Sequence, residues 1–427
     1  MTATRLTARS HLERHVHAVV ILVPTTSSLT RVAGVPLAQR AVLSALRGGF
    51  ERIVLLTGDE GPRVRALVVG DPRTGDAPVE VRDHFDVEPN AEVAVVPGDI
   101  LVTPAALAAL GAAVDDGPTV VSVDGHPVLA RCRGLDLGSM SARDDGRGVT
   151  LRGGDAADVF AALRRAGARE TSLGDAICMP ITDRRAIVAA EAALCARLRA
   201  DSAATDGVLA RWIDRPLSCR VSRWIVAHTG LRPNAVTGVG TAIGLTGGLF
   251  LARGTYASGI VGTALFLAAA IVDGCDGEVA RLTFRESAFG QKLDVATDNV
   301  VHLAIFLGLA IGLHRRDPDG HVAALAALLL GGFVLDGALS YYFLVVRTDW
   351  RGESGAARSW QQRLRRGVLN ALEALMNRDF AYILVLLAIA DRLHWFLWGA
   401  AIGSYVFAAL FLALYRAGSG LDSAAAT

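Results

Sequence analysis

Apolar and polar positions divide the chain into two regimes. Up to about residue 200, short apolar runs alternate with amphipathic stretches, whereas long apolar segments follow one another between residues 236 and 415. In the first regime, β-type runs at 17–23, 52–57, 92–96 and 119–123 predict strands. Helical periodicity marks 37–47, 104–113, 156–165 and 184–199. Strands alternating with helices predict an N-terminal α/β domain over 1–200, built on a mostly parallel, Rossmann-type sheet. A hinge is expected at 201–207. Residues 209–229 then place Trp212, Ile213, Leu217, Val221, Trp224 and Ile225 at helical intervals among Arg211, Arg215, Arg220 and Arg223. That pattern predicts an amphipathic helix lying in the headgroup plane, within a 201–235 connector. The alternative is an ordinary amphipathic helix packed on the soluble domain.

Hydropathy predicts six membrane spans, at 236–253, 258–280, 294–313, 322–346, 379–392 and 395–415, so that an all-α membrane domain covers 236–416. Residues 417–427 read as a disordered tail. The polar segment 347–378 carries seven arginines, and the loop between the second and third spans carries Arg285 and Lys292. Connections on the opposite side hold Arg253, Arg315, Arg316 and Arg392, two of them beside Asp317 and Asp319. The bias predicts a multi-pass protein of the cell (inner) membrane with both termini cytoplasmic. The first residues lack the apolar core of a signal peptide, which agrees.

Composition changes this picture little. Of 427 residues 52% are hydrophobic, and a net charge of +1 gives no reason to expect nucleic acid as a partner. Five scattered cysteines show no C-x-x-C spacing, so neither a disulfide framework nor a zinc site is indicated. Lys292 is the single lysine.

Candidate chemistry lies between the second and third spans. Residues 273–298 read D-G-C-D-G-E-V-A-R-L-T-F-R-E-S-A-F-G-Q-K-L-D-V-A-T-D. Carboxylates at membrane depth are costly, about 2.5–3.5 kcal/mol each on insertion scales, and usually mark a site. On helices, Asp273, Asp276, Gly277, Ala280 and Arg281 share one stripe, and Gly290, Asp294 and Asp298 form a second. Facing stripes would gather four carboxylates, a grouping that calls for hard divalent cations. A carrier or channel binding a transported ion could use the same residues, and interfacial loops could hold the aspartates merely solvated.

The spacing D-x2-D-G-x2-A-R-x8-G-x3-D-x3-D resembles the CDP-alcohol phosphotransferase (CDP-alcohol phosphatidyltransferase) family at all eight defined positions. The resemblance implies an integral membrane enzyme that transfers a substituted phosphate from a CDP-linked donor to an alcohol and releases CMP. It makes Asp273, Asp276, Asp294 and Asp298 the centre for two divalent ions, Mg2+ or Mn2+, with Asp298 as general base. Gly277 and Ala280 would line a cytidine pocket, Arg281 would approach the phosphates, and Ser287 and Gly290 would border the nucleotide. Asn234 and Thr237, in P-N-x-x-T, would border it too, although Pro233 and Asn234 equally suit a helix start. Arg347, Arg366 and Arg378 are acceptor candidates, and inositol phosphate is the favoured acceptor. The commonest family donor is CDP-diacylglycerol, with membrane lipids and a second copy of the chain as further expected partners.

The N-terminal region resembles a sugar-nucleotide or inositol-phosphate nucleotidyltransferase, through V-A-G-V-P-L-A-Q-R-A-V-L-S-A-L at 32–46 and V-V-P-G-D-I at 95–100. The latter places Asp99 where such enzymes hold a metal aspartate. Two departures stand out. The loop after the first strand, P-T-T-S-S-L-T-R, has no glycine to wrap a triphosphate, and residues 1–200 contain no lysine. Ser27 or Ser28 falls near the place of that lysine, and Arg31 or Arg40 could replace it in part. The expectation is a related fold without nucleotidyl transfer; the alternative is a bifunctional chain that makes and uses CDP-inositol.

Overall fold

The computed structural model describes residues 18–23, 26–58, 61–74, 77, 79–112, 117–138, 140, 148–203, 209–318, 321–341 and 380–424. They fall into two compact units, Met1–Arg197 with Leu282–Phe284, and Leu198–Arg281 with Arg285–Thr427.

The first unit is built on a seven-stranded sheet. Its order is Arg169–Thr171, Thr119–Val123, His126–Arg133, Glu92–Pro97, Ala18–Val23, Ile53–Thr57, Val79–Arg82. The central strand Ala18–Val23 pairs in parallel on both sides, with Ile21 opposite Leu55 and Val96. All six of its residues are buried. Val19, Ile21 and Val23 pack on one face and Val20 and Leu22 on the other, which is why the run A-V-V-I-L-V does not alternate with polar residues. The first face is covered by α1 (Leu37–Arg47), α2 (Gly61–Val68) and α3 (Pro104–Ala112), through Val42, Val64 and Leu107. The second is covered by α4 (Ala156–Arg165), through Val159, Phe160 and Leu163. A fifth helix, α5, spans Arg184–Ser202.

The sheet is mixed. His126–Arg133 runs antiparallel to both its neighbours, where the sequence predicted no strand. The signal was present: Asp124 and Gly125 have φ of 51° and 77°, the left-handed pair of a two-residue hairpin turn, and D-G is a strong turn signature. Pro127 and three basic residues mask the strand pattern.

In the second unit a π-helical turn, Ala210–Asp214, leads into α6 (Arg215–His228). Six helices follow among the described residues: α7 (Pro233–Leu251), α8 (Tyr256–Thr283), α9 (Ala288–Arg316), α10 (Val322–Tyr341), α11 (Phe380–Ile389) and α12 (Leu393–Ala424). Of these, α7, α8 and α9 are long and apolar enough to cross a membrane, and α11 and the Val322–Leu335 part of α10 are shorter apolar helices. Both α8 and α9 outrun the hydropathy boundaries, because an apolar window stops at the first charges while the backbone hydrogen bonding continues through them. The helix α12 likewise continues to Ala424, through most of the segment expected to be a disordered tail. Extending an existing helix costs far less than starting one. Residues 342–346 of the fourth expected span and residue 379 of the fifth lie outside the described residues.

Glycine sets the spacing of α7 and α9. A Cβ on Gly308 would fall 2.2 Å from the Gly248 carbonyl oxygen, and one on Gly312 would fall 2.1 Å from that of Leu251. Only bare backbone permits that approach, the small-residue packing expected between helices in lipid. It brings the start of α7 beside the carboxylates of α9.

Candidate active site

In α6, Ser218, Cys219, Ser222, Ile225 and Val226 are buried, while Leu217 and Trp224 are exposed, the latter 58%; in the preceding π-turn Trp212 is 76% exposed and Ile213 is also exposed. The inward serines donate to one buried carboxylate on α8, Ser218 Oγ to Glu278 Oε1 at 2.6 Å and Ser222 Oγ to Glu278 Oε2 at 2.8 Å. Arg215 lies 3.7 Å from the same group. Tyr382 of α11 donates to Asp214, so the segment is tied at two points. The sequence reading passed over Glu278, although it stands inside the motif. A glutamate at membrane depth was itself the signal.

Where α8 and α9 face each other, Asp273, Asp294 and Asp298 converge. Each is partly buried, and one oxygen from each lies within 4.8 Å of the others. The spacing of four between Asp294 and Asp298 keeps both on one face of α9, as the sequence predicted. Three carboxylates this close repel one another unless a cation lies between them. An all-oxygen donor set without cysteine or histidine suits Mg2+ or Mn2+, so the residues fit a divalent ion.

Asp276 stands apart from that trio. It is buried and accepts the Thr237 hydroxyl from α7. Three residues advance the helix by 300°, which rotates Asp276 toward α7 and away from α9. The structure thus gathers three of the four expected carboxylates and gives the fourth a hydrogen-bonded partner.

The other candidates group nearby. The Arg281 guanidinium folds back over Gly277, whose missing side chain leaves it room: a Cβ there would meet Nη2 at 3.3 Å. Ala280 is partly buried on the same stripe. Asn234 Oδ1 would lie 3.3 Å from a Cβ at Gly290, so these two adjoin across α7 and α9. Ser287 is the N-cap of α9 and accepts from the Gly290 amide at 3.0 Å. Its local helix-starting role accounts for its position without a nucleotide. Arg347, Arg366 and Arg378 lie outside the described residues.

Beside the carboxylates opens a small cavity of about 40 Å³, lined by Asp273, Asp298, Thr237, Thr241, Thr297 and His302 with an apolar remainder. His302, one turn beyond Asp298, was not anticipated.

In the first unit Asp99 sits in the turn after Glu92–Pro97, at the carboxyl end of a central strand. Burial pushes its carboxyl above the usual carboxylate range, opposed only by a hydrogen bond from its own backbone. No cationic side chain contributes to that balance. Arg40, a possible stand-in for the absent lysine, is spent on backbone: it is buried and donates to the Val32 carbonyl at 2.9 Å. Burial, and secondarily Arg73, lowers its guanidinium to about 9, with Glu191 opposing. Arg31 donates to the Gly34 carbonyl at 2.9 Å. After the first strand, Thr26–Leu29 forms a short 3-10 turn in place of a glycine loop.

Comparison with known proteins bears on both units. The family model for CDP-alcohol phosphatidyltransferase matches residues 231–402. The bifunctional IPC transferase and DIPP synthase of Rubrobacter xylanophilus is 28% identical over 345 residues, which cover 71% of this chain and 77% of that protein. The protein of the same name from Aquifex aeolicus is 34% identical over 108 residues, 25% of this chain; the match spans only about a quarter of that relative, 24%. Among solved structures, Mycobacterium tuberculosis phosphatidylinositol phosphate synthase with CDP-DAG bound aligns over 47% of this chain and 93% of its own, at 22% identity and a TM-score of 0.32. The inositol-1-phosphate CTP transferase of T. maritima aligns over 42% and 96%, at 11% identity and a TM-score of 0.30. The eight motif positions, in place on α8 and α9, all lie within the residues 231–402 that match the CDP-alcohol phosphatidyltransferase family model.

Proposed function

We propose that the chain transfers a substituted phosphate from a CDP-linked donor to an alcohol at the carboxylates of α8 and α9, with CMP as leaving group. The observation that carries this reading is the convergence of Asp273, Asp294 and Asp298 between α8 and α9, beside a small open cavity. These three would hold the metal, with Asp276, oriented by the Thr237 hydroxyl, as the fourth ligand that the family implies. Divalent ions held by these carboxylates would supply charge neutralisation for the donor's pyrophosphate and the leaving oxygen.

The remaining steps fall to the chain's own residues. Asp298 takes the proton as the acceptor oxygen bonds to the distal phosphorus of the pyrophosphate. The bond from that phosphorus to the CMP oxygen breaks, and CMP leaves with the electron pair. Arg281, lying over Gly277, approaches the nucleotide's phosphates, and Ala280 keeps the neighbouring wall low for the cytidine. Asn234 and Gly290 border the nucleotide across α7 and α9. The acceptor's own phosphate, where it has one, falls to Arg347, Arg366 and Arg378.

The proposal extends to placement. The outward Trp212 and Trp224 sit at the membrane surface, and six spans hold the site at the cytoplasmic face of the cell membrane in a homodimer. The first donor to test is CDP-diacylglycerol, with inositol phosphate as acceptor. A second reading takes a polar donor such as CDP-inositol. It is favoured by the match to the Rubrobacter relative over 71% of this chain, since that relative's name includes both a transferase and a synthase. The purified chain, incubated with magnesium, tritiated inositol 1-phosphate and either donor, decides between them. An organic-phase phosphodiester supports the first reading and a water-soluble one the second. No tritiated phosphodiester from either donor would contradict the inositol phosphate assignment.

A further inference from the structure

The first unit contains three residues that come long after the rest of it in sequence, Leu282–Phe284. Leu282 and Thr283 end α8 directly after Arg281, Phe284 follows them, and all three are buried. The helix ends in an unusual way. The Arg285 amide donates to the Ala280 carbonyl at 2.8 Å, the six-residue bond of a Schellman ending. The position inside that turn is taken by Phe284, with φ of 58°. Glycine is the usual residue there, because a side chain strains the left-handed region. A bulky aromatic persists in it only where its surroundings hold it.

The surroundings are supplied by the first unit. Phe284 packs with Val35 and Leu43. Arg40 and Arg47 of α1 stand over its ring, 5.1 and 4.7 Å from the centroid. Arg40 also donates to the Leu282 carbonyl at 2.7 Å, and Arg73 to the Thr283 carbonyl at 2.9 Å. These carbonyls are among the last four of α8, which have no partner inside the helix and lie at the negative end of its dipole. Two guanidiniums therefore cap them. Arg73 is itself fixed by Asp71, through bonds of 2.9 and 2.7 Å. The end of α8 is thus a fixed point, and Arg281 is the next residue back.

We propose that Arg40, Arg73 and Phe284 are positioning residues for the transfer reaction: by fixing the end of α8 they hold Arg281 at the nucleotide's phosphates. The inference rests on the role proposed for Arg281. It gives the N-terminal unit a function that needs no catalysis of its own.

Two readouts on the full chain in detergent test it: equilibrium binding of tritiated CMP with magnesium, and hydrogen exchange at the Arg285 amide. Phe284→Gly separates two roles. If the phenylalanine only ends the helix, glycine takes φ of 58° without strain and performs as well or better. If its ring is the grip, Phe284→Gly should weaken CMP binding roughly three- to tenfold and speed exchange at Arg285 about tenfold or more. Phe284→Tyr keeps the ring and should stay within about twofold of wild type. Arg73→Gln should move both readouts in the same direction by less, and it carries the test should Phe284→Gly fail to fold. The affinity for Mn2+, read by electron paramagnetic resonance, should hold within about twofold, because one oxygen ligand set remains intact. An equal loss of Mn2+ affinity would mark collapse of the whole site and overturn the assignment. CMP affinity and exchange unchanged in both variants would overturn the proposal and leave the transfer reaction standing. Faster exchange without weaker CMP binding would overturn the link to Arg281. A wild type that binds no CMP would remove the nucleotide site itself, and the proposal with it.

Discussion

Two acidic sites in this chain invite comparison: the carboxylates of α8 and α9, and Asp99 of the N-terminal sheet. Each stands where its element ends or meets a neighbour, and each resembles the metal position of a transferase. In the membrane unit three oxygens from two helices lie within 4.8 Å, a fourth aspartate is held by Thr237, and a cavity opens alongside. Around Asp99 the described residues differ: Thr26–Leu29 forms a 3-10 turn where the resemblance calls for a glycine loop, and Arg40 is committed to the Val32 carbonyl. Function resides in the constellation and not in a single position, so we propose that Asp99 stands without that chemistry.

Asp298→Asn should give the largest effect. Loss of the general base is expected to cut CMP release about 10²–10⁴-fold while donor binding stays measurable. Full activity in this variant would break the assignment. Asp273→Asn comes next, removing one oxygen ligand. It should raise the magnesium concentration for half-maximal activity on the order of tenfold or more, and an unchanged metal dependence would count against the shared centre.

A smaller effect tests the other side of the comparison, that charges of the N-terminal unit serve its fold. Hydrogen bonds from Arg73 hold the Asp71 carboxyl below its usual range. A depressed carboxylate adds stability above its unfolded pKa, near 3.9, which is lost as pH falls through the folded value. Asp71→Asn should therefore lower the melting temperature at pH 7, and the gap to wild type should close as the pH drops toward 3. A gap independent of pH would show that the ion pair is not its source.

Much of this organisation was legible in the residues. Four strands of the seven-stranded sheet and four of the five α-helices described in the N-terminal region follow from periodicity, because a buried parallel strand and an amphipathic helix have different repeats. The i, i+4 spacing placed Asp294 and Asp298 on one face, and the Asp motif named the three carboxylates that converge. What escaped depends on contacts between elements. That Asp276 turns toward Thr237, that Glu278 gathers Ser218 and Ser222, and that His302 joins the cavity are properties of helices meeting, which a single-helix pattern does not contain. The helix ends were misplaced for another reason: hydropathy reports the hydrocarbon boundary, and α8 and α9 run past it carrying their charges.

We place transfer chemistry in the second unit and propose that the N-terminal unit is catalytically silent. One assay on the purified full chain tests it, following CMP from CDP-diacylglycerol and CDP-inositol with inositol phosphate, and pyrophosphate from CTP with inositol 1-phosphate, all with magnesium. The predicted result is CMP release that disappears with EDTA and with Asp298→Asn, and no pyrophosphate. Pyrophosphate release lost in Asp99→Ala, or no CMP from either donor, would contradict it.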